Sequence, residues 1–340
     1  MRFAHLVLAS TLLLLATTVI AADNVSQDTL RAAASKGLAL LEQTSPAFVK
    51  KGGCNSCHSQ MLPAAAQAFA RSRGVPTGET IAQLLPEVSE QTTERYLEYS
   101  VGGGAGVAAL GFDLFGRALA HQPADARIRS EIHFIKGMQD PAGNWRGGRD
   151  RRPPLTFDDF TPTAYMIFAL DKFAPATEAA DTSARIARAR AWLTTAKAER
   201  TQERAFRVLG LTWSKADRAT IQSAIRELRS LQAPDGGWSQ LAATRTDAYA
   251  TGIALYAMAV GGVPATDAAY QAGLTYLLST QAADGTWHVK ARALEFQPYF
   301  ESGYPYGHDQ WISAAGAAYA TMAIAAALDV PQSTGHSPGR

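Results

Sequence analysis

The only two cysteines in the 340 residues stand three apart and directly before a histidine, in Lys50-Lys-Gly-Gly-Cys54-Asn-Ser-Cys57-His58. Two thiols at i and i+3 on a helical turn reach two vinyl groups of one porphyrin, and the adjacent imidazole then meets the iron from the proximal side. The spacing predicts covalent haem c, with Cys54 and Cys57 as attachment points and His58 as the proximal ligand. A redox disulfide is the plain alternative, but its usual βαβ setting is absent. A bridge across so few residues closes almost no loop, so a disulfide scaffold is excluded. A zinc site fails on count, because C-x-x-C-H offers at most three ligands and no second cluster is in view.

Residues that do chemistry must be held, and the elements that would hold these are repetitive. Gln139-Asp-Pro-Ala-Gly143-Asn-Trp145, Gln232-Ala-Pro-Asp-Gly236-Gly-Trp238 and Gln281-Ala-Ala-Asp-Gly285-Thr-Trp287 share the form Q-x-x-x-G-x-W. The tryptophans are 93 and 49 residues apart, which fits two repeat units and then one of about 46 residues each. Each Gln ends an amphipathic stretch, and the Gly supplies a helix stop. A second pattern follows, D-x-x-x-[ST]-[AG], at Asp159, Asp247 and Asp309. It opens apolar helices that must be buried, and the aspartates read as N-caps. Six outer and inner pairs result: 29–44 with 60–74, 79–99 with 104–121, 126–138 with 161–173, 184–198 with 202–213, 217–232 with 246–261, and 267–281 with 312–328. The fourth is degenerate, with Trp192 in its outer helix but Lys197 where Gln would stand. The predicted fold is an all-α (α/α)6 toroid, with an inner ring of helices around a central cavity.

The three Q-x-x-x-G-x-W copies resemble the squalene–hopene cyclase and protein prenyltransferase toroid superfamily, over residues 29–330. The resemblance implies structural roles for the motif's Gln and Trp and says little of function. Class II terpene cyclases of that superfamily carry D-x-D-D, whose middle aspartate protonates an alkene and must be held protonated in a dry cavity. The nearest match is Thr156-Phe157-Asp158-Asp159, which puts Asp158 at the donor position and Thr156 where the first aspartate belongs. Asp158 and Asp159 are therefore the candidate catalytic residues. The prenyltransferase zinc site, with Cys in D-x-C, has no match. Toroidal thioester domains resemble the chain at Cys57-His58-Ser59-Gln60, where Cys and Gln have the thioester spacing but His-Ser replaces Gly-Glu.

In a toroid the inner helices run parallel and share one rim. C-x-x-C-H opens the first and Gly307-His308-Asp309 opens the sixth, and ring closure makes those neighbours. His308 is thus the expected distal haem ligand or a haem-pocket residue. Met61 lies on the same side as His58, and His121, His133 and His288 fall on helix surfaces or loops. The aromatic-rich segment Lys290–His308, with Phe296, Tyr299, Phe300, Tyr304 and Tyr306, is long for a turn and reads as a cover over the rim. Arg149, Arg151 and Arg152 form a basic loop that could meet haem propionates.

Composition sets the outer bounds. Hydrophobic residues make up 47% and charged residues 18%, and the formal charge is +2. Such a chain is globular and offers no electrostatic case for nucleic acid. Met1–Ala22, with Arg2 before the apolar run Leu6–Ile20, reads as a signal peptide; the run is shorter than the ~20 residues a span needs. Residues 23–330 would form the toroid, outside the cytoplasm in the periplasm and without a transmembrane segment after cleavage, and 331–340 a disordered tail. The leading expectation is an exported c-type haem protein serving electron transfer or a redox accessory role, partnered by a periplasmic redox protein or a lipid-like ligand. The alternatives are a terpenoid cyclase-like enzyme using Asp158 or Asp159, a non-catalytic lipid- or protein-binding toroid, and a thioester domain using Cys57 and Gln60.

Overall fold

A computed structural model describes residues 24–52, 57–93, 104–148, 153–294, 299 and 301–330. The leader, Cys54, the three loop arginines, Phe296, Phe300 and the tail lie outside the described residues. Among the described residues there are twelve α-helices and no strand. They are α1 (Gln27–Gly52), α2 (Leu62–Ser72), α3 (Thr80–Thr93), α4 (Gly104–Leu119), α5 (Ala126–Gly137), α6 (Phe160–Phe173), α7 (Ala179–Thr195), α8 (Thr201–Trp213), α9 (Arg218–Arg229), α10 (Ala248–Val260), α11 (Ala268–Thr280) and α12 (Gln310–Ala326). A π-helical turn, Cys57–Met61, leads into α2, which carries Pro63 in its first turn. Proline is tolerated there because the first helical N–H groups have no intrahelical acceptor.

The even-numbered helices form a closed ring, α2–α4–α6–α8–α10–α12 and back to α2, with the odd-numbered helices packed outside. All six predicted pairs are present. The inner helices are buried along nearly their whole length, as in α10 and α12, so they need small residues where backbones meet. A Cβ on Gly252 of α10 would sit 2.5 Å from the Ala320 nitrogen of α12, and only glycine allows that approach.

The Q-x-x-x-G-x-W turn links one outer helix to the next. Gln139, Gln232 and Gln281 each donate their side-chain amide to the motif glycine's own carbonyl and to a carbonyl of the following outer helix, at Arg185, Ala269 and Ala33 respectively. Gly143, Gly236 and Gly285 have φ between +86° and +104°, and their missing Cβ atoms would strike the backbone at Arg188, Ala272 and Lys36. The indole N–H groups of Trp145, Trp238 and Trp287 donate back to Ile135, Leu228 and Leu277 at the end of the preceding outer helix. Each turn thus satisfies a helix C-terminus and docks on its neighbour. The Gln281 copy docks on α1 and closes the ring.

The axis of the ring is not the open cavity expected from the toroid. Tyr165 of α6 packs on Phe112 and Phe115 of α4 and on Phe206 of α8, and its hydroxyl lies 2.8 Å from that of Tyr319 on α12, directly across the ring. Phe115 and Phe69 both meet Tyr256 of α10. Aromatic side chains from opposite walls thus meet across the centre of the ring.

Candidate functional site

The N-termini of α6, α8 and α10 meet on one rim around a cavity of about 170 Å³. Its floor is Asp158, Gln202 and Tyr249, all buried. Its mouth carries Arg200, Arg292, Gln240 and Glu203, and its apolar walls are Pro153, Pro154, Phe157, Leu241 and Ala250. The shared rim inferred from the parallel inner helices is therefore present, at the junction of units three, four and five.

Asp158 caps α6, its Oδ1 accepting from the Thr161 backbone N–H at 2.7 Å. Its Oδ2 accepts from the Gln202 amide at 2.6 Å and from the Thr161 hydroxyl at 3.0 Å. Burial pushes its pKa up to about 6, against the pull of the Thr161 N–H and the Gln202 amide. Burial raises a carboxyl because the charged form loses hydration. The Thr161 hydroxyl can donate to the carboxylate or accept from the acid, so both protonation states have a partner. Gln202 is itself fixed, its Oε1 accepting from the Tyr249 hydroxyl at 2.5 Å.

The neighbouring aspartates do other work. Asp159, expected to cap α6, instead accepts from the Gly147 N–H at 2.8 Å and the Asn144 amide. The true cap is Asp158, one residue earlier, because Asp159 is drawn outward to hold the loop. Asp247 caps α10 through the Ala250 N–H and accepts from Gln240; burial pushes its pKa up to about 6. Asp309 also fails to cap its helix. It takes the Ala291 N–H, His288 Nε2 at 2.7 Å and Lys290. Burial opposes ionisation there, but those donors outweigh it and hold the carboxyl below its usual range.

Of the C-x-x-C-H motif, Cys57 and His58 are described, in the π-helical turn that leads into α2. Cys57 is half-buried and His58 is buried. The His58 ring meets the edges of Phe48 and Trp311, and its Nδ1 lies 2.9 Å from the Ser59 hydroxyl. Trp311 is in the first turn of α12, so ring closure does bring the sixth inner helix to His58. His308 is exposed on the turn before α12, its ring against Tyr299. Gln60 donates its amide to the Ser45 carbonyl on α1, which gives the thioester candidate a structural task. His121 and His133 are exposed, as expected.

The cover segment reaches the rim in its described part. Arg292 donates its Nε to Gln240 Oε1 at 2.7 Å over the cavity, and Tyr306 stacks on His288. Gln202, Tyr249, Gln240 and Arg292 were not picked out from sequence. They share no spacing, because they come from the starts of two inner helices and from two connecting segments; only Arg292 lay in a segment already marked as unusual.

No family model and no curated protein matches the chain. Solved structures do. A variant of type II terpene cyclase MstE from Scytonema, in complex with geranylgeranyl dihydroxybenzoate, its substrate, is similar with TM-score 0.54 and 14% identity, over 88% of this chain and 98% of that one. A protein from Actinoplanes is similar with TM-score 0.59 and 13% identity, over 88% and 100%. A glycosidase variant in complex with glucose is similar with TM-score 0.57 and 11% identity, over 89% and 97%. At such identities the likeness establishes the α/α toroid fold, and the fold is terpene-cyclase-like. Among the described residues no helix is long and apolar enough to cross a membrane.

Proposed function

We propose that the rim cavity is an acid-catalytic site of the terpene-cyclase type, in which Asp158 protonates an electron-rich carbon–carbon double bond. The observation that carries this reading is a buried carboxyl, raised to about 6, on the floor of a largely apolar cavity. A raised carboxyl in a cleft marks a candidate general acid, and of the two raised aspartates Asp158 is the one that lines the cavity.

In the step, the Asp158 proton adds to the less substituted alkene carbon and leaves a tertiary cation. The Asp158 carboxylate that remains keeps three donors, from Thr161 and Gln202. The cation is quenched by attack of a second double bond and loss of a proton, or by water. The protons balance and no oxidant is needed. At about 170 Å³ the cavity is smaller than the ~300–1,000 Å³ of typical ligand pockets. It therefore takes one end of a lipid-like molecule, the aromatic plug stopping deeper entry.

Isoprenoids with an isolated trisubstituted double bond, from citronellol up to squalene, incubated in D2O, test the reading. Carbon-bound deuterium in the recovered lipid, absent with Asp158→Asn, is the expected result. No deuterium in any of them would overturn it.

A second reading stands on His58. Its Nδ1 lies 2.9 Å from the Ser59 hydroxyl, a contact that orients the ring, and the half-buried Cys57 thiol precedes it. The residue types are those of a haem c site, in which Cys54 and Cys57 would hold the porphyrin, His58 would bind the iron and His308 would be a second ligand or a haem-pocket residue. When bound, such a group supplies one-electron chemistry, in an exported, periplasmic chain. Expression in cells with haem-attachment machinery should give a haem stain that survives denaturing electrophoresis and is lost in Cys57→Ala. A colourless product from such cells would end this reading.

A further inference from the structure

The mouth of the rim cavity holds two guanidinium groups that the acid chemistry does not use. Arg200, partly exposed, pairs through Nη1 with Glu203 at 3.0 Å and lies over the Phe157 ring. Glu203 is committed on its other oxygen to the backbone N–H groups of Glu199 and Arg200. Arg292 is different. It is half-buried, its Nε is taken by Gln240, and neither of its terminal amino groups has an acceptor among the described residues. It forms no ion pair within 4.0 Å with a described carboxylate, although it lies close enough to Arg200 and Asp247 to feel both charges. Arg292 is half-buried, and its terminal amino groups are not among the buried polar atoms that lack a partner, so they stay open to solvent and to a ligand at the mouth. Here the fork is held at its inner nitrogen and presents its outer pair, the geometry that receives a planar oxyanion.

We infer that the mouth, through Arg292 with Arg200, is a subsite for a carboxylate, and that the ligand is a short unsaturated amphiphile whose acid group binds there. Its apolar body lies on Pro154, Phe157 and Leu241, and its double bond reaches the Asp158 floor. The substrate class is thus an isoprenoid-like acid rather than a neutral hydrocarbon. The inference rests on the cavity being the substrate site, and it does not depend on Asp158 giving up its proton.

Calorimetric titration of the full chain tests it with three matched probes: citronellate, citronellol and citronellyl phosphate. Citronellate is expected to bind at least tenfold tighter than citronellol. Arg292→Met should erase that difference, and Arg292→Lys should restore part of it. Equal binding of acid and alcohol, or a preference for the acid that survives Arg292→Met, would overturn the inference, as would no binding of any probe. Tighter binding of the phosphate than of citronellate would also overturn it, replacing a carboxylate site with a phosphate site. Affinity and deuterium uptake, read on the same wild-type chain, separate the two proposals. Citronellate that binds the wild type but takes up no deuterium removes the proton donor and leaves the subsite standing. Deuterium uptake by citronellol and citronellate alike, with equal affinity, does the reverse.

Discussion

Asp158 has a measurable signature apart from any substrate. Its folded pKa, about 6, lies above the ordinary 3.8, so between about pH 4 and pH 6 the folded state binds more protons than the unfolded one. Stability contributed by this group therefore falls as pH rises through that window, by ~3 kcal/mol once the carboxyl is fully ionised. In Asp158→Asn that slope disappears, while the Asp247 slope remains in both proteins. Urea unfolding at pH 4.5, 5.5 and 7 should show wild type losing ~2 kcal/mol relative to the variant across that range; parallel curves would mean the carboxyl is not perturbed. The same pKa gives the acid chemistry its direction: turnover should rise as pH falls through about 6 and level off below about 5. A rate that rises with pH would assign Asp158 the role of a base. His308 carries its own test, since His308→Ala should change the haem spectrum if it is the sixth ligand and leave it unchanged if it is not.

At the scale of elements, the repeat turn fixes how outer helices follow one another. Gly285 has φ +89° and a virtual Cβ 2.3 Å from the Lys36 carbonyl, whereas Gly262 has the same φ with nothing within 4 Å. The backbone penalty is therefore common to both, at ~1 kcal/mol for a non-glycine residue. Gly262→Ala should cost about that much. Gly285→Ala should cost at least ~2 kcal/mol more, because α1 must move. Equal losses in thermal unfolding would show that the turn does not bear on ring closure. Between α4 and α5 a different device operates. Arg117 lies between the fully buried carboxylates of Asp113 and Glu131, and reaches Asp125 as well. Arg117→Met takes the guanidinium away from both buried carboxylates, and ~3–5 kcal/mol of stability should be lost. Replacing Asp113 and Glu131 by apolar residues in the same chain should recover most of it.

For the whole molecule, the consequence of ring closure is a filled axis and a usable rim. Tyr165 and Tyr319 touch across the ring, and Tyr165 meets aromatics from two further helices. Tyr165→Ala should cost ~3–5 kcal/mol, the range for aromatic truncation in a core, and should open a channel below the rim. Longer isoprenoids would then bind better relative to citronellate; an unchanged length preference would place the ligand wholly outside the axis. The rim joins residues far apart in the chain, with Asp158 and Gln202 separated by 44 positions. Coupling between the two should be visible in a double-mutant cycle.

The helix-pair architecture was legible in the sequence because its signals are local. A Gln four residues before Gly, an indole two further on and apolar helices after D-x-x-x-[ST] each act within one turn or one helix. The ring order follows from repetition, so closure of α12 on α2 was also readable, as was the gathering of inner-helix starts on one rim. What local spacing could not specify is which atoms meet there. Asp158 and Asp159 are adjacent in the chain, yet one faces the cavity and the other the Gly147 loop, and only the loop's path decides between them. Gln202, Tyr249 and Arg292 lie in an inner helix without the repeat motif, in another inner helix and in the cover segment, and no pattern links them. The aromatic plug was hidden for the same reason. Tyr165 is an ordinary buried residue of α6 until the far wall arrives, and it is that wall, 154 residues away, that turns an expected central cavity into a small one at the rim.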